Sequence, residues 1–166
     1  MSPIPSGFRH GTYRGYSVEL RLKRRGRLYE PYQVDCSRDV YNFMRPLSDE
    51  SSEFLYQVNF DTKHRITGVY LVNKRGCDSS EADTKEIFKA ALMSNSPAFA
   101  LVHNHPSGNV EPSRQDKHMV ELVNQATTIL DLAFLDSLII GDWSYYSFAE
   151  EGMKRRETIP ETLSRK

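Results

Sequence analysis

Histidines are scarce in this 166-residue chain, five in all, yet two stand one residue apart in the stretch LVHNHPSGNVEPSRQD, residues 101–116. Ahead of them the apolar run AFALV, residues 98–102, is bounded by Pro97 and reads as a short strand buried on both faces. In extended chain His103 and His105 leave the backbone on the same side. They fall at the carboxyl end of that strand, where α/β folds commonly place ligands. Two imidazoles converging on one point can chelate a divalent metal. Pro106, Ser107 and Gly108 then turn the chain, so that a following helix can bring a third ligand, and Asp116 is the candidate. Two nitrogens and one carboxylate oxygen leave the fourth tetrahedral position to water, the composition of a catalytic zinc site; a structural site is closed by four ligands.

The same letters also have a purely structural meaning. Ser113-x-x-Asp116 after Pro112 is a capping-box signature, with serine at the N-cap and a carboxylate at N3. On that view the segment is a well-built helix start, and His-x-His alone is a weak signal.

The elements that must hold these residues follow from patterning. Residues 53–61 (EFLYQVNFD) and 66–72 (ITGVYLV), rich in aromatic and β-branched residues, predict a hairpin that turns at LysHisArg. Residues 80–94 predict an amphipathic helix with 87, 88, 91 and 92 inward. Ser113 to about Leu130 predicts a second, with Val120, Val123 and Ile129 inward. Residues 135–140 and 145–149 predict two more strands, joined by Gly-Asp-Trp-Ser. Upstream, residues 37–44 predict a short helix with Ser37 as N-cap, stopped before Pro46 and followed by a polar linker. The alternation from Tyr16 to Leu22, the turn KRRGR at 23–27 and residues 28–34 predict a strand pair. The expected architecture is a single α/β (α+β) domain, a mixed β-sheet flanked by helices.

Composition agrees with one soluble globular domain: 39% hydrophobic and 27% charged residues over 166 positions. No apolar stretch reaches the length of a membrane span, and MSPIPSGFRHG has no apolar signal-peptide core, so a cytoplasmic location is expected. Cys36 and Cys77 stand far apart in no C-x-x-C pattern and read as free thiols. Net charge is zero but uneven: +5 over residues 1–30, −8 over 31–152 and +3 from Met153 onward. Basic ends can touch nucleic acid or an acidic partner, although a solvated surface accounts for them as well.

The full pattern His-x-His-x7-Ser-x2-Asp is the signature of the JAMM (JAB/MPN) metallopeptidases, and HNHPSG-x3-PS-x2-D resembles the RadC-like branch in particular. The resemblance extends to residues 53–61, 85–91, 135–141 and 147–152, and covers about residues 35–153 as an MPN-like domain. Residues 1–34 then form an N-terminal extension with a strand pair, and residues 154–166 a flexible tail. The resemblance implies that His103, His105 and Asp116 are Zn2+ ligands and that the family's distant glutamate is Glu53. It implies that Ser113 donates to the oxyanion of a tetrahedral intermediate. A metallopeptidase needs such a carboxylate to take a proton from water and return it to the leaving amine. Spacing leaves Glu50, Glu81 and Glu86 open beside Glu53. Two departures stand out. Longer RadC-like proteins carry an N-terminal helical domain where this sequence predicts a strand pair, which weakens DNA-binding ideas attached to that domain. Many relatives have histidine where this chain has Ser137.

The expected function is therefore a zinc-dependent hydrolase of peptide or isopeptide bonds, as JAMM relatives remove ubiquitin-like modifiers; the branch's label ties it to DNA repair. The alternative is a non-catalytic DNA-associated or partner-binding module, as in MPN relatives that have lost the metal. A metal-dependent nuclease would use hard oxygen ligands in place of two histidines. Among other features, His118 reads as a helix-surface residue with a second role behind Asp116 open, and His64 and His10 fall in a turn and in the N-terminal stretch. KRRGR reads as an exposed turn or a phosphate grip, and Trp143 as a partner anchor or a turn residue folded onto the core.

Overall fold

A computed structural model of the protein describes residues 32–75 and 84–151. Five strands form one sheet in the order β2-β1-β3-β4-β5: β1 Glu53–Phe60, β2 Ile66–Arg75, β3 Ala98–Asn104, β4 Ala133–Ile140 and β5 Tyr145–Ser147. β3 runs antiparallel to β1 and parallel to β4, while β1–β2 and β4–β5 are antiparallel, so the sheet is mixed. The parallel step from β3 to β4 requires a crossover, which is the helix α3, Arg114–Leu130. The helix α2, Thr84–Ser94, connects β2 to β3.

Every residue of β3 is buried, which explains its unbroken apolar run: both of its faces are covered. Ala98, Ala100 and Val102 join Val58, Phe60, Leu138 and Ile140 against α1, Ser37–Met44, and the 3-10 turn Arg45–Asp49. Phe99 and Leu101 face the other way, into Ile87, Phe88 and Ala91 of α2 and Met119 and Val123 of α3. Helices therefore lie on both faces of the sheet, as the sequence predicts.

α1 ends at Met44, before Pro46 as expected, and a separate 3-10 turn takes Pro46 in its first positions. Several local expectations need correction. The N-cap of α1 is Cys36, not Ser37, and its box closes through Asp39. Ser37 instead sends its hydroxyl to Asp136. Ile129 is 86% exposed, not inward. It lies about 200° around α3 from buried Thr127, whereas Met119, Val123 and Thr127 form one stripe. Leu92 is half exposed at the rim of the stripe made by Ile87, Phe88 and Ala91. Of the predicted strand at 28–34, residues 32–34 are described, and Gln33 bridges antiparallel to Arg65; the rest of the strand pair, residues 80–83, Cys77 and the tail lie outside the described residues.

Asp136 ties α1 to the far edge of the sheet. Its buried carboxylate accepts from the hydroxyls of Ser37 at 2.7 Å and Ser147 at 2.6 Å, and from the amides of Ser137 at 2.7 Å and Ala149 at 2.9 Å. Removing the acceptor leaves four donors without it. Asp136→Ala is therefore expected to lower the unfolding free energy by about 3 kcal/mol in urea titration, with Asp136→Asn losing less; a change under about 0.5 kcal/mol contradicts this tie.

Candidate metal centre

β3 carries His103 near the end of its pairing, opposite Leu55 of β1 and Ile139 of β4. The chain leaves the strand at His105, whose amide donates to the Ile140 carbonyl at 3.0 Å, and closes a turn through Gly108 N–H to the His105 carbonyl at 2.9 Å. Gly108 has φ of +76°, and a Cβ there would meet the Asp142 carboxylate at 2.7 Å, so this turn requires glycine. The loop then delivers Ser113 as the N-cap of α3, with Asp116 at N3.

Strand, turn and helix start bring the three candidate ligands together. His103 Nε2 lies 3.2 Å from His105 Nε2 and 3.3 Å from Asp116 Oδ1, and His105 Nε2 lies 3.6 Å from Asp116 Oδ2. A tetrahedral ion with ligand bonds of 2.0–2.2 Å has ligand–ligand edges of about 3.3–3.6 Å; the histidine contacts to Asp116 run to its two different oxygens, so the donor set fits zinc in chemistry and in approximate spacing. Ligand atoms of Glu53, His103, His105 and Asp116 all lie within 4.8 Å of one another. The other upstream glutamates stand apart: Glu50 is exposed, Glu86 pairs with Lys89 on the outer face of α2, and Glu81 lies outside the described residues.

Hydrogen bonds set the presentation of the rings. His105 Nδ1 is 2.6 Å from the Asn109 carbonyl and must carry the proton there, which turns the Nε2 lone pair of the neutral ring toward the cluster. Among the described residues His103 Nδ1 is buried without a hydrogen-bond partner, as is Ser137 Oγ. Leu101 pairs with Ser137 and His103 with Ile139, so both orphaned atoms belong to the same face of neighbouring strands. Ser137 thus neighbours β3 without joining the cluster.

Burial alone would push the Asp116 carboxyl up, since the residue is 1% exposed. The two imidazoles at 3.3 and 3.6 Å, when protonated, together with the Ser113 hydroxyl outweigh burial and hold it well below the usual carboxylate range. In turn the Asp116 carboxylate 3.6 Å away raises His105 against the opposing effect of burial, with the Asn109 carbonyl and the charge of Glu53 adding to it.

Ser113 makes the full capping box: its amide and hydroxyl donate to Asp116 Oδ2 at 2.8 and 2.6 Å, and its oxygen accepts from the Asp116 amide at 3.1 Å. Capping uses an oxygen lone pair, and the hydroxyl proton is a separate resource. The structural and chemical meanings of this serine are therefore compatible.

Sequence reasoning missed Asn104. Lying between the two histidines, it points to the opposite face and grips the approach to β1. Its amide nitrogen donates to the Glu50 and Ser52 carbonyls at 3.2 and 3.0 Å, and its oxygen accepts from Phe54 N–H at 2.9 Å. Three bonds from one side chain fix the backbone on both sides of Glu53. Nothing local in the sequence marks such a contact. His118 is exposed on α3 and lies outside the cluster, and His64 is exposed in the hairpin turn.

Compared with known proteins, residues 34–153 match the family model described as RadC-like JAB domain. A UPF0758 protein of Pelodictyon phaeoclathratiforme is 38% identical over 122 residues, covering 73% of this chain and 55% of the relative. One of Chlorobium phaeovibrioides is 38% identical over 119 residues, 71% of this chain and 53% of the relative. One of Methanosarcina acetivorans is 36% identical over 128 residues, 76% and 56% respectively. The chain thus spans about half the length of the curated relatives it matches.

The cluster has a pH signature. Without metal, the raised His105 contributes stability that is complete below its ordinary value and is lost as pH rises through the folded value. The lowered Asp116 contributes above its ordinary value and loses this as pH falls. The pair favours the metal-free fold most between about pH 4 and 6.5, whereas a metal ion competes with protons for the same nitrogens. In thermal melts the gap between zinc-loaded and chelator-treated protein should widen from pH 6 to pH 8. A gap that is constant or narrower at pH 8 contradicts the assignment of these nitrogens.

Proposed function

The chain belongs to the RadC-like JAB domain family, and from that membership and the geometry of the cluster we propose that it is a zinc-dependent hydrolase of peptide or isopeptide bonds. One observation carries most of the support: two imidazole nitrogens and a buried carboxylate converge at 3.2–3.6 Å, with a second carboxylate whose ligand atom lies within 4.8 Å of theirs.

His103, His105 and Asp116 would hold a zinc ion, which would supply a Lewis acid for a carbonyl oxygen and a lowered pKa for water. Glu53 takes one proton from the attacking water as its oxygen bonds to the carbonyl carbon. The same carboxyl then gives that proton to the departing nitrogen as the C–N bond breaks. Ser113 keeps its lone pair on the Asp116 amide and turns its hydroxyl from Asp116 Oδ2 toward the developing oxyanion. Asn104 acts through the backbone, holding Glu53 where it can do both transfers.

The charge distribution favours a protein substrate over nucleic acid. Residues 31–152 carry net −8, opposite to the basic footprint that phosphate binding needs. Free, exposed Cys36 fits a reducing cytoplasm, and no helix among the described residues is long and apolar enough to cross a membrane.

Protein purified without added metal should contain about one zinc per chain, and His103→Ala should lose it while remaining folded. An absence of zinc from the wild type, or full zinc in the variant, contradicts the proposal. In a panel of linear peptides, isopeptides and modifier fusions, Glu53→Gln should retain the metal and lower turnover by about 10²–10⁴-fold. Undiminished turnover in that variant removes Glu53 as the base.

A further inference from the structure

A groove of about 490 Å³ runs between the 3-10 turn and the turn that joins β4 to β5, and its walls include Arg45, Pro46, Asp49, Asp142 and Trp143. Trp143 is 83% exposed, although the Arg45 guanidinium sits 5.6 Å above its ring. The side chain has not folded onto the core, so the second of its two sequence meanings is excluded. Indole is the best aromatic partner for a cation and is enriched at the energetic centres of interfaces. The Arg45 contact shows that this ring takes a cation from the protein's own surface. The charged residues lining the groove are two carboxylates, Asp49 and Asp142, and one cation, Arg45, and residues 31–152 carry net −8.

Both walls of the groove are joined along the chain to segments that position the cluster. The 3-10 wall continues through Glu50 and Ser52, the carbonyls held by Asn104, into Glu53. On the opposite wall Asp142 lies against Gly108, in the turn that orients His105, and Gly141 packs so tightly on Gly108 that a Cβ would collide with its carbonyl. Each wall is thus the neighbouring stretch of a segment that positions the cluster.

We propose that this groove docks a lysine- or arginine-bearing peptide segment of the substrate protein, with a cationic side chain on Trp143 and the carboxylates of Asp49 and Asp142 beside it, next to the amide to be cut. Its role as a substrate site rests on the hydrolase proposal; peptide docking itself requires no turnover. A phosphate backbone is disfavoured by the same two carboxylates.

Trp143 is the only tryptophan of the chain, so its emission reports on the groove directly. The full chain is titrated at low salt with a ten-residue Lys/Arg/Gly/Ser peptide and with a matched peptide carrying Glu in place of Lys and Arg. The cationic peptide should give a saturable change in emission at least ten times tighter than the acidic one. Raising salt to 300 mM should weaken it several-fold, as screening of exposed charges requires. The double variant Asp49→Asn, Asp142→Asn should bind about tenfold more weakly, and Trp143→Ala should lose most binding by anisotropy of a labelled peptide. The proposal is overturned by any of three results: no saturable change, an equal response to the acidic peptide, or tighter binding of a single-stranded oligonucleotide. Emission that changes with protein concentration alone also overturns it, because a second copy would then be the occupant. Since no bond is cleaved in the titration, failure of the groove is told apart from failure of the metal centre.

Discussion

A carboxylate 1% exposed to solvent cannot stand alone inside a protein, and Asp116 is such a group. Removing it from water costs several kcal/mol unless strong partners replace the solvent. Those partners are the Ser113 amide and hydroxyl, the positive end of α3 and two imidazoles. Each has to arrive from a different part of the fold. His103 comes with the fully buried central strand, His105 with the turn that only glycine at 108 allows, and Ser113 with the start of the crossover helix. The parallel pairing of β3 and β4 in turn demands that crossover. Sheet topology and site chemistry are two consequences of one arrangement.

What can be read from the sequence divides along physical lines. Periodicity and local signatures report what adjacent residues do: the apolar strand before His103, the hairpin at 53–75, and Ser113 capping Asp116. The spacing of His103 and His105 places both rings on one side, and the structure brings their Nε2 atoms to 3.2 Å. Glu53 cannot be chosen from spacing, because what selects it is a pairing between strands distant in sequence, Leu55 against His103. The Asn104 clamp is invisible for the same reason. Ile129 shows the opposite failure: an apolar residue predicted inward is carried to solvent by its angle around α3.

Trp143 and Ser137 show where composition has no voice. A tryptophan in a short turn can pack or protrude, and the choice depends on the neighbouring 3-10 turn, which the sequence presents as a linker. Ser137 is a small polar residue in an apolar strand; its burial beside the ligand strand follows from the β3–β4 register alone. Family membership sets the frame for both. The stretch shared with the relatives is about half of their length, yet the matched residues 34–153 hold every member of the cluster.

X-ray absorption at the zinc edge, on protein purified without added metal, tests the coordination of Asp116 and the two histidines most directly. Four nitrogen or oxygen neighbours at about 2.0–2.2 Å, with the outer-shell scattering of two imidazoles, are expected. Sulfur neighbours at about 2.3 Å, or a spectrum without imidazole scattering, would place the metal elsewhere and contradict the account.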